Sequence, residues 1–118
     1  MSLFAVLAPP SKLRLITMGE ANNHQGYLDG VYVIQQSLVN NNPHWKQINN
    51  SNSIWFWKGK WLVGSTRSLG LKMCGIQGPL DDAWPHKVLQ AWMYTNEKEF
   101  LVAEKDVIFE DYNQGRHF

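Results

Sequence analysis

The feature that most constrains the fold of this chain is a short aromatic stretch near its middle. Residues 53–64 read S-I-W-F-W-K-G-K-W-L-V-G and contain three of the six tryptophans. Aromatic and β-branched residues on both sides of a two-residue Lys58-Gly59 loop predict a β-hairpin. With that loop, the predicted pairs are Trp57 with Lys60, Phe56 with Trp61, Trp55 with Leu62, and Ile54 with Val63. A three-residue loop would instead pair Trp57 with Trp61.

Both faces of this predicted hairpin are apolar. Because side chains alternate along a strand, one face carries Ile54, Phe56, Trp61 and Val63, and the other carries Trp55, Trp57 and Leu62. A sheet with one solvated face needs only one apolar side. The hairpin therefore either lies between two layers of the protein or offers one aromatic face to a partner.

Short runs of strand-forming residues recur along the rest of the chain, separated by Gly, Pro and Asn. The predicted strands outside the hairpin cover residues 12–18, 31–35, 43–48, 71–74, 88–94, 100–102 and 107–109, and residues 19–30 form a polar connection. Regular short strands without a long helix predict an all-β fold. We expect a small antiparallel β-sandwich or barrel built on a meander of short strands. Its predicted parts are an N-terminal arm at 1–10, a single β domain at 11–112 and a C-terminal tail at 113–118.

The composition argues against several classes of protein. Eleven basic and ten acidic residues leave a formal net charge of +1, so nucleic acid is not an expected partner. The single cysteine, Cys74, cannot form an intramolecular disulfide or a cysteine-based zinc site. No apolar run reaches the roughly 18 residues that span a bilayer. We therefore expect a soluble, intracellular protein, with secretion left open as the alternative.

The order of several short motifs resembles that of a known family. The chain carries G-V-Y-V at 30–33, P-H-W-K at 43–46, I-W-F-W at 54–57, W-L-V-G at 61–64, a proline-bearing turn at 79–85 and A-W at 91–92. This order is similar to the pattern N-G-x-Y, G-x-P-x-Y-x-K, Y-x-W, W-x-I-G of a family of small β-rich modules in multidomain eukaryotic proteins. Here Asp29-Gly30-Val31-Tyr32 replaces the first element, and Asn41 replaces the glycine of the second. The resemblance covers about residues 15–110 and implies a compact β module without a known catalytic residue set.

No group of residues in the sequence has the spacing of a catalytic or metal site. The four histidines are scattered, and none has the i,i+4 spacing of a helical metal site. The adjacent Asp81 and Asp82 suit a turn better than acid–base chemistry, which needs a second group across a cleft. A nucleophilic Cys74 would need a histidine that only the fold could bring close. We expect a non-catalytic protein that uses no cofactor and no metal ion.

The tryptophans are the best candidates for a functional surface. Large aromatic side chains anchor protein interfaces, and the hairpin has more of them than one small core requires. We expect recognition of a protein partner, or of a second copy, through residues of this region: Trp45, Lys46, Trp55, Trp57, Lys60 and Leu62. On this view, Trp55→Ala and Trp57→Ala abolish binding and leave the fold intact.

The alternative is a lectin-like carbohydrate-binding module that stacks sugar rings on the same indoles. Its polar contacts would come from nearby amides in the loops, namely Asn41, Asn42, Gln47, Asn50 and Asn52. Single-stranded nucleic acid also stacks on aromatic side chains, but it requires a basic groove. Lys46, Lys58 and Lys60 form only a modest cluster, so nucleic acid ranks third.

Overall fold

The computed structural model describes residues 8–113, so most of the predicted arm and tail, residues 1–7 and 114–118, lies outside the described residues. The elements are β1 (Lys12–Thr17), α1 (Gly19–Gln25), β2 (Gly30–Ile34), β3 (Trp45–Gln47), β4 (Asn52–Trp57), β5 (Lys60–Ser65), β6 (Ile76–Gln77), β7 (Met93–Thr95), β8 (Phe100–Val102) and β9 (Val107–Asp111). Short 3₁₀ turns lie at Gly26–Leu28, Thr66–Ser68 and Pro85–Lys87. Within residues 8–113, no helix is long and apolar enough to cross a membrane.

All these strands belong to one antiparallel sheet with the order β8-β7-β6-β5-β4-β3-β2-β1-β9. Laid flat, eight inter-strand spacings would separate the two edge strands by about 38 Å. Those edge strands, β8 and β9, are consecutive in the chain, and residues 103–106 between them reach about 18 Å at most. The sheet must therefore curl until its edges approach each other.

This architecture confirms the predicted all-β class and the meander of short strands. Strands β1 to β8 pair in chain order, and β9 returns to pair with β1. The sequence left a sandwich and a barrel open. The structure is a single curled sheet, open between β8 and β9, and not two separate packed sheets.

The hairpin formed by β4 and β5 has the predicted two-residue loop. Its pairs are Trp57 with Lys60, Phe56 with Trp61, Trp55 with Leu62 and Ile54 with Val63, so the predicted register is confirmed. Lys58 has φ 45° and Gly59 has φ 89°. Positive φ angles at both residues of a two-residue loop are typical of a type I′ turn, whose twist matches that of the two strands of a hairpin.

An aromatic cluster fills the core on one face of the hairpin. The ring of Trp61 lies 5.4 Å from that of Trp45, 4.7 Å from Phe56 and 6.2 Å from Trp84, between ring centroids. The buried indole N–H groups have backbone acceptors, as they must when water is excluded. Trp45 Nε1 donates to the Pro10 carbonyl at 2.8 Å, and Trp61 Nε1 donates to the Ala83 carbonyl at 2.7 Å.

Three local predictions were wrong. The polar connection at 19–30 contains helix α1, which buries Ala21 and Gln25. The strand predicted at 71–74 is a loop, and the strand that pairs with β5 begins at Ile76. The strand predicted at 88–94 is confined to β7, because Pro85–Lys87 forms a 3₁₀ turn and the chain that follows it pairs only from Met93.

Candidate partner-binding site

The outer face of the hairpin is covered by loops of the same chain. Trp55 and Leu62 are 0% and 1% exposed, yet their side chains lie on the face opposite the aromatic core. Trp55 Nε1 donates to the Leu71 carbonyl at 2.9 Å, which fixes the loop after β5 across the indole. The loop approaches so closely that a Cβ added at Gly64 would lie 3.0 Å from Cα of Cys74.

The loop before β3 holds the loop after β5 in place over the hairpin. Asn40 Nδ2 donates to the Phe56 carbonyl at 2.8 Å and to the Gly70 carbonyl at 3.2 Å, so it joins the loop before β3 to the hairpin and to the loop after β5. The two loops form a second layer. The sequence allowed two explanations for the two apolar faces: a second layer of the protein or an aromatic face offered to a partner. Over most of its length, the hairpin lies between two layers.

This burial corrects half of the predicted binding surface. Trp55 and Leu62 are covered by the second layer, and Trp45 is 0% exposed because it points into the aromatic core. None of the three presents a surface to a partner, and we remove them from the candidate site. The prediction failed at Trp55 because a loop can bury a tryptophan on the outer face of a sheet as completely as another sheet would.

The remaining predicted residues are Lys46, Trp57 and Lys60. Trp57 and Lys60 form the last cross-strand pair of the hairpin and lie together on its outer face beyond the covering loops. Lys46 is exposed but pairs with Ser53, four residues along β4 from Trp57 and so about 13 Å away. The structure therefore brings Trp57 and Lys60 together and leaves Lys46 apart.

The hairpin-end patch consists of Trp57, Lys58, Lys60 and Leu80. Trp57 is half-buried, and Lys58 Nζ lies 5.1 Å from the centroid of its ring. Leu80 is 73% exposed and lies beside the turn, where the Asp81 N–H donates to the Gly59 carbonyl at 2.9 Å. Sequence reasoning did not select Leu80, because a single leucine in a Pro- and Asp-rich connection has no periodicity that would signal it.

The polar groups of the patch form no ion pair and no side-chain hydrogen bond among the described residues. Within residues 8–113, the one ion pair joins His24 to Glu20, so neither Lys58 nor Lys60 has a carboxylate within 4.0 Å. The indole N–H of Trp57 also makes no hydrogen bond among the described residues, whereas the indoles of Trp45, Trp55 and Trp61 all do. Two cations and one N–H donor are thus available at the end of the hairpin.

The backbone of the patch is strained at a lysine. Lys58 occupies the left-handed region, which costs a residue with a Cβ roughly 1 kcal/mol and which Gly and Asn tolerate better. Asn-Gly is the usual sequence for this turn. Glu97 and Glu104, in other turns, also have positive φ angles, so the strain at Lys58 becomes informative only together with the cations and the indole beside it.

The amides proposed for sugar recognition are largely engaged inside the protein. Gln47 Nε2 donates to the Asp29 carbonyl at 2.8 Å, and Asn52 Nδ2 donates to Gln47 Oε1 at 2.7 Å. Asn42 Nδ2 donates to the Asn40 carbonyl at 2.9 Å. These groups stabilise loops, and none of these bonds places an amide against Trp57.

Burial shifts the pKa of the candidate nucleophile and of two histidines. Burial raises the pKa of the Cys74 thiol to about 12, which keeps it protonated at neutral pH. Burial lowers the pKa of His44 and of His86. Within residues 8–113, no three His, Cys, Asp or Glu side chains are grouped as metal ligands would be.

Comparison with known proteins finds no relative: no protein family model, no curated protein and no solved structure matches the chain. The resemblance to the small β-rich modules of eukaryotic proteins therefore stays a prediction. The geometry of the hairpin-end patch is what remains to indicate function.

Proposed function

We propose that this protein is a non-catalytic binding module that recognises a protein partner through the hairpin-end patch. The observation that carries the proposal is the strained Lys58, held over the half-buried indole of Trp57 without an acidic partner among residues 8–113. An indole flanked by Lys58 and Lys60 suits a peptide segment that presents carboxylates beside an apolar side chain. Tryptophan is a typical anchor of protein interfaces, and charged neighbours contribute specificity and speed association.

A lectin-like function is the second candidate, and it has less support. Sugar binding needs an exposed aromatic plane together with amides or carboxylates that read the hydroxyl groups. Trp57 provides the plane, but Lys58 Nζ already lies over the ring. The amides at 42, 47 and 52 are engaged in internal hydrogen bonds. A protein partner is therefore the better candidate.

The variant Lys58→Asn tests the proposal, because its effects on folding and on binding have opposite signs. Asn relieves the backbone strain and should stabilise the fold by about 1 kcal/mol. It also removes one cation from the patch and should weaken binding about tenfold, as expected for a charged group at an interface. Peptides selected from a random displayed library on the native protein provide the ligands, and titration with each variant gives the affinities.

Matched controls separate the patch from the rest of the surface. Trp57→Ala should remove binding of the same peptides, whereas Lys46→Ala, an exposed lysine away from the patch, should leave it unchanged. Peptides that bind Lys58→Asn and Trp57→Ala as well as they bind the native protein would contradict the proposal. Trp57-dependent binding on a glycan array with no selectable peptide would favour the lectin alternative. Sedimentation of the native protein and of Trp57→Ala would show whether the partner is a second copy.

A further inference from the structure

The charges of this protein are segregated along the chain, although its formal net charge is only +1. Residues 30–80 contain no acidic residue and five basic ones, namely Lys46, Lys58, Lys60, Arg67 and Lys72. All ten acidic residues lie in residues 8–29 and 81–113, together with five basic residues, and six of the ten lie within residues 97–111. The middle of the chain therefore carries a formal charge of +5, and the two flanking stretches together carry −5.

Three of the five basic residues lie on the outer face of the sheet, at strands β3 to β5. Lys46 pairs with Ser53, and Lys60 pairs with Trp57. Because side chains alternate along a strand, both pairs lie on the face opposite the aromatic core. Lys58 Nζ lies over the Trp57 ring on the same face.

The other two basic residues, Arg67 and Lys72, are exposed on the loop after β5, which covers this outer face. We call the surface formed by all five residues the basic side. The one ion pair among residues 8–113 involves none of them. Two carboxylates, at residues 81–82, lie at its margin beside the turn at Gly59. The basic side thus follows the whole length of the hairpin, about 20 Å for six residues in a strand.

The acidic stretch at residues 97–111 lies at the two edges of the sheet. It includes β8, β9 and the turns at both ends of β8. β8 and β9 are the first and the last of the nine strands in the sheet, whereas β4 is the fifth. Because the sheet curls until its edges approach each other, the outer face of β4 lies opposite the opening between β8 and β9. The basic side and these acidic edges therefore lie on opposite sides of the molecule.

We propose that the basic side of one molecule binds the acidic edges of a second copy. Because the two surfaces lie on opposite sides, the contact is heterologous, and each bound copy leaves its own basic side free for the next. Copies therefore associate head to tail, through charges whose attraction salt weakens. The contact goes beyond the recognition of a peptide proposed above, because Lys46, Arg67 and Lys72 lie outside the hairpin-end patch.

Sedimentation velocity of the full chain at two salt concentrations tests the inference. At about 10 mM salt, where the screening length is about 30 Å, the mean sedimentation coefficient should rise with protein concentration. At about 1 M salt, where the screening length is about 3 Å, the protein should sediment as a monomer.

Two variants of equal net charge separate the position of the charges from their sum. Arg67→Glu with Lys72→Glu, and Lys98→Glu with Lys105→Glu, each change the formal net charge from +1 to −3, and all four side chains are exposed. The first variant removes cations from the basic side and should weaken association about tenfold or more. The second makes the acidic edges more acidic and should strengthen association.

Three outcomes would overturn the inference. A native protein that is monomeric at about 10 mM salt would lack the contact, and equal weakening in the two variants would assign association to net charge alone. A monomeric native protein that binds a single-stranded oligonucleotide through Arg67 and Lys72 would make nucleic acid the partner of the basic side. Trp57→Ala, which tests the recognition of a peptide, should associate like the native protein, so the failure of either proposal is distinguishable from the failure of the other.

Discussion

Trp55 and Trp57 lie two residues apart on the same face of one strand, but their surroundings differ completely. Trp55 is 0% exposed and donates its indole N–H to the Leu71 carbonyl. Trp57 lies beyond the covering loop, half-buried, with its N–H unpartnered among the described residues. At the scale of the residue, the same amino acid is part of the interior at one position and is partly exposed at the other.

The two alanine variants should therefore differ sharply in stability. We expect Trp55→Ala to lower the free energy of unfolding by about 3–5 kcal/mol, because it leaves a large cavity and an unpartnered carbonyl. Trp57→Ala should lower it by about 1 kcal/mol or less. Urea denaturation of both variants measures the difference. Similar small losses in both would mean that the loop after β5 does not pack on Trp55 in solution.

His44 should make the stability of the protein depend on pH. The imidazole is 5% exposed, its Nδ1 makes no hydrogen bond, and burial lowers its pKa. Below its ordinary pKa of about 6.5 the unfolded chain binds a proton that the folded protein does not, so stability falls as the pH falls. His86 shifts in the same direction and should add to the effect.

Denaturant melts between pH 7 and pH 5 measure this dependence. His44→Asn should be less stable overall but should lose less stability than the native protein over the same range. A His44→Asn slope equal to the native slope would assign the pH dependence to other groups.

At the scale of the element, short-range patterns could be predicted from the sequence, but contacts between distant segments could not. The hairpin register follows from the Lys58-Gly59 loop and the alternation of aromatic residues around it. The loop that buries Trp55 has no such signature, because Leu71 and Met73 resemble a strand in sequence and are exposed. The predicted site failed at Trp45, Trp55 and Leu62 for this reason.

Helix α1 illustrates the same limit. Its seven residues, G-E-A-N-N-H-Q, have no apolar periodicity, and tertiary contacts hold it in place. Gln25 Nε2 donates to the Thr95 carbonyl at 2.8 Å, and the His24 ring stacks on Tyr94 at 5.9 Å between centroids. These partners lie some seventy positions away in the chain. A reading of local sequence therefore could not assign the helix.

The close approach of α1 to Gly75, the residue before β6, predicts a specific coupling. A Cβ at Gly75 would collide with Gln25 Oε1, a buried atom that has no hydrogen-bond partner among the described residues. Gly75→Ala should lower the free energy of unfolding by about 1–3 kcal/mol. In a Gln25→Ala background the loss should be about 1 kcal/mol smaller, although the nearby Leu28 side chain still limits the space. Urea denaturation of the native protein, the two single variants and the double variant gives the four free energies of unfolding for a double-mutant cycle. If the losses of the two single variants add up to that of the double variant, the two residues are not in contact.

At the scale of the whole molecule, the strands follow one another in space in the order β9-β1-β2-β3-β4-β5-β6-β7-β8. The order is the chain order rotated by one position. The described ends of the chain are also close, since Ser11 Oγ donates to Asn113 Oδ1 at 2.7 Å. The chain is in effect a ring of strands, in which the backbone is interrupted between β9 and β1 and the pairing is interrupted between β8 and β9.

A circular permutant exploits this ring. Joining the chain ends through a Gly-Ser linker and opening the chain between Glu104 and Lys105 makes every pair of neighbouring strands consecutive. Because local pairing speeds folding, we expect this permutant to refold about tenfold faster or more than the native chain in stopped-flow experiments. Opening the chain between Asn49 and Asn50 instead turns the β3–β4 pairing into a distant one, and this matched permutant should refold at about the native rate.

Equal refolding rates in both permutants would mean that closing β9 onto β1 does not limit folding. If the permutant opened between Glu104 and Lys105 refolds faster, the position of the chain ends determines how fast the sheet forms. Each strand keeps the same neighbours in all three proteins. The new ends of the first permutant lie between β8 and β9, where no two strands pair. This permutant could therefore be inserted into a loop of another protein through those ends, with every pair of neighbouring strands kept consecutive in the chain.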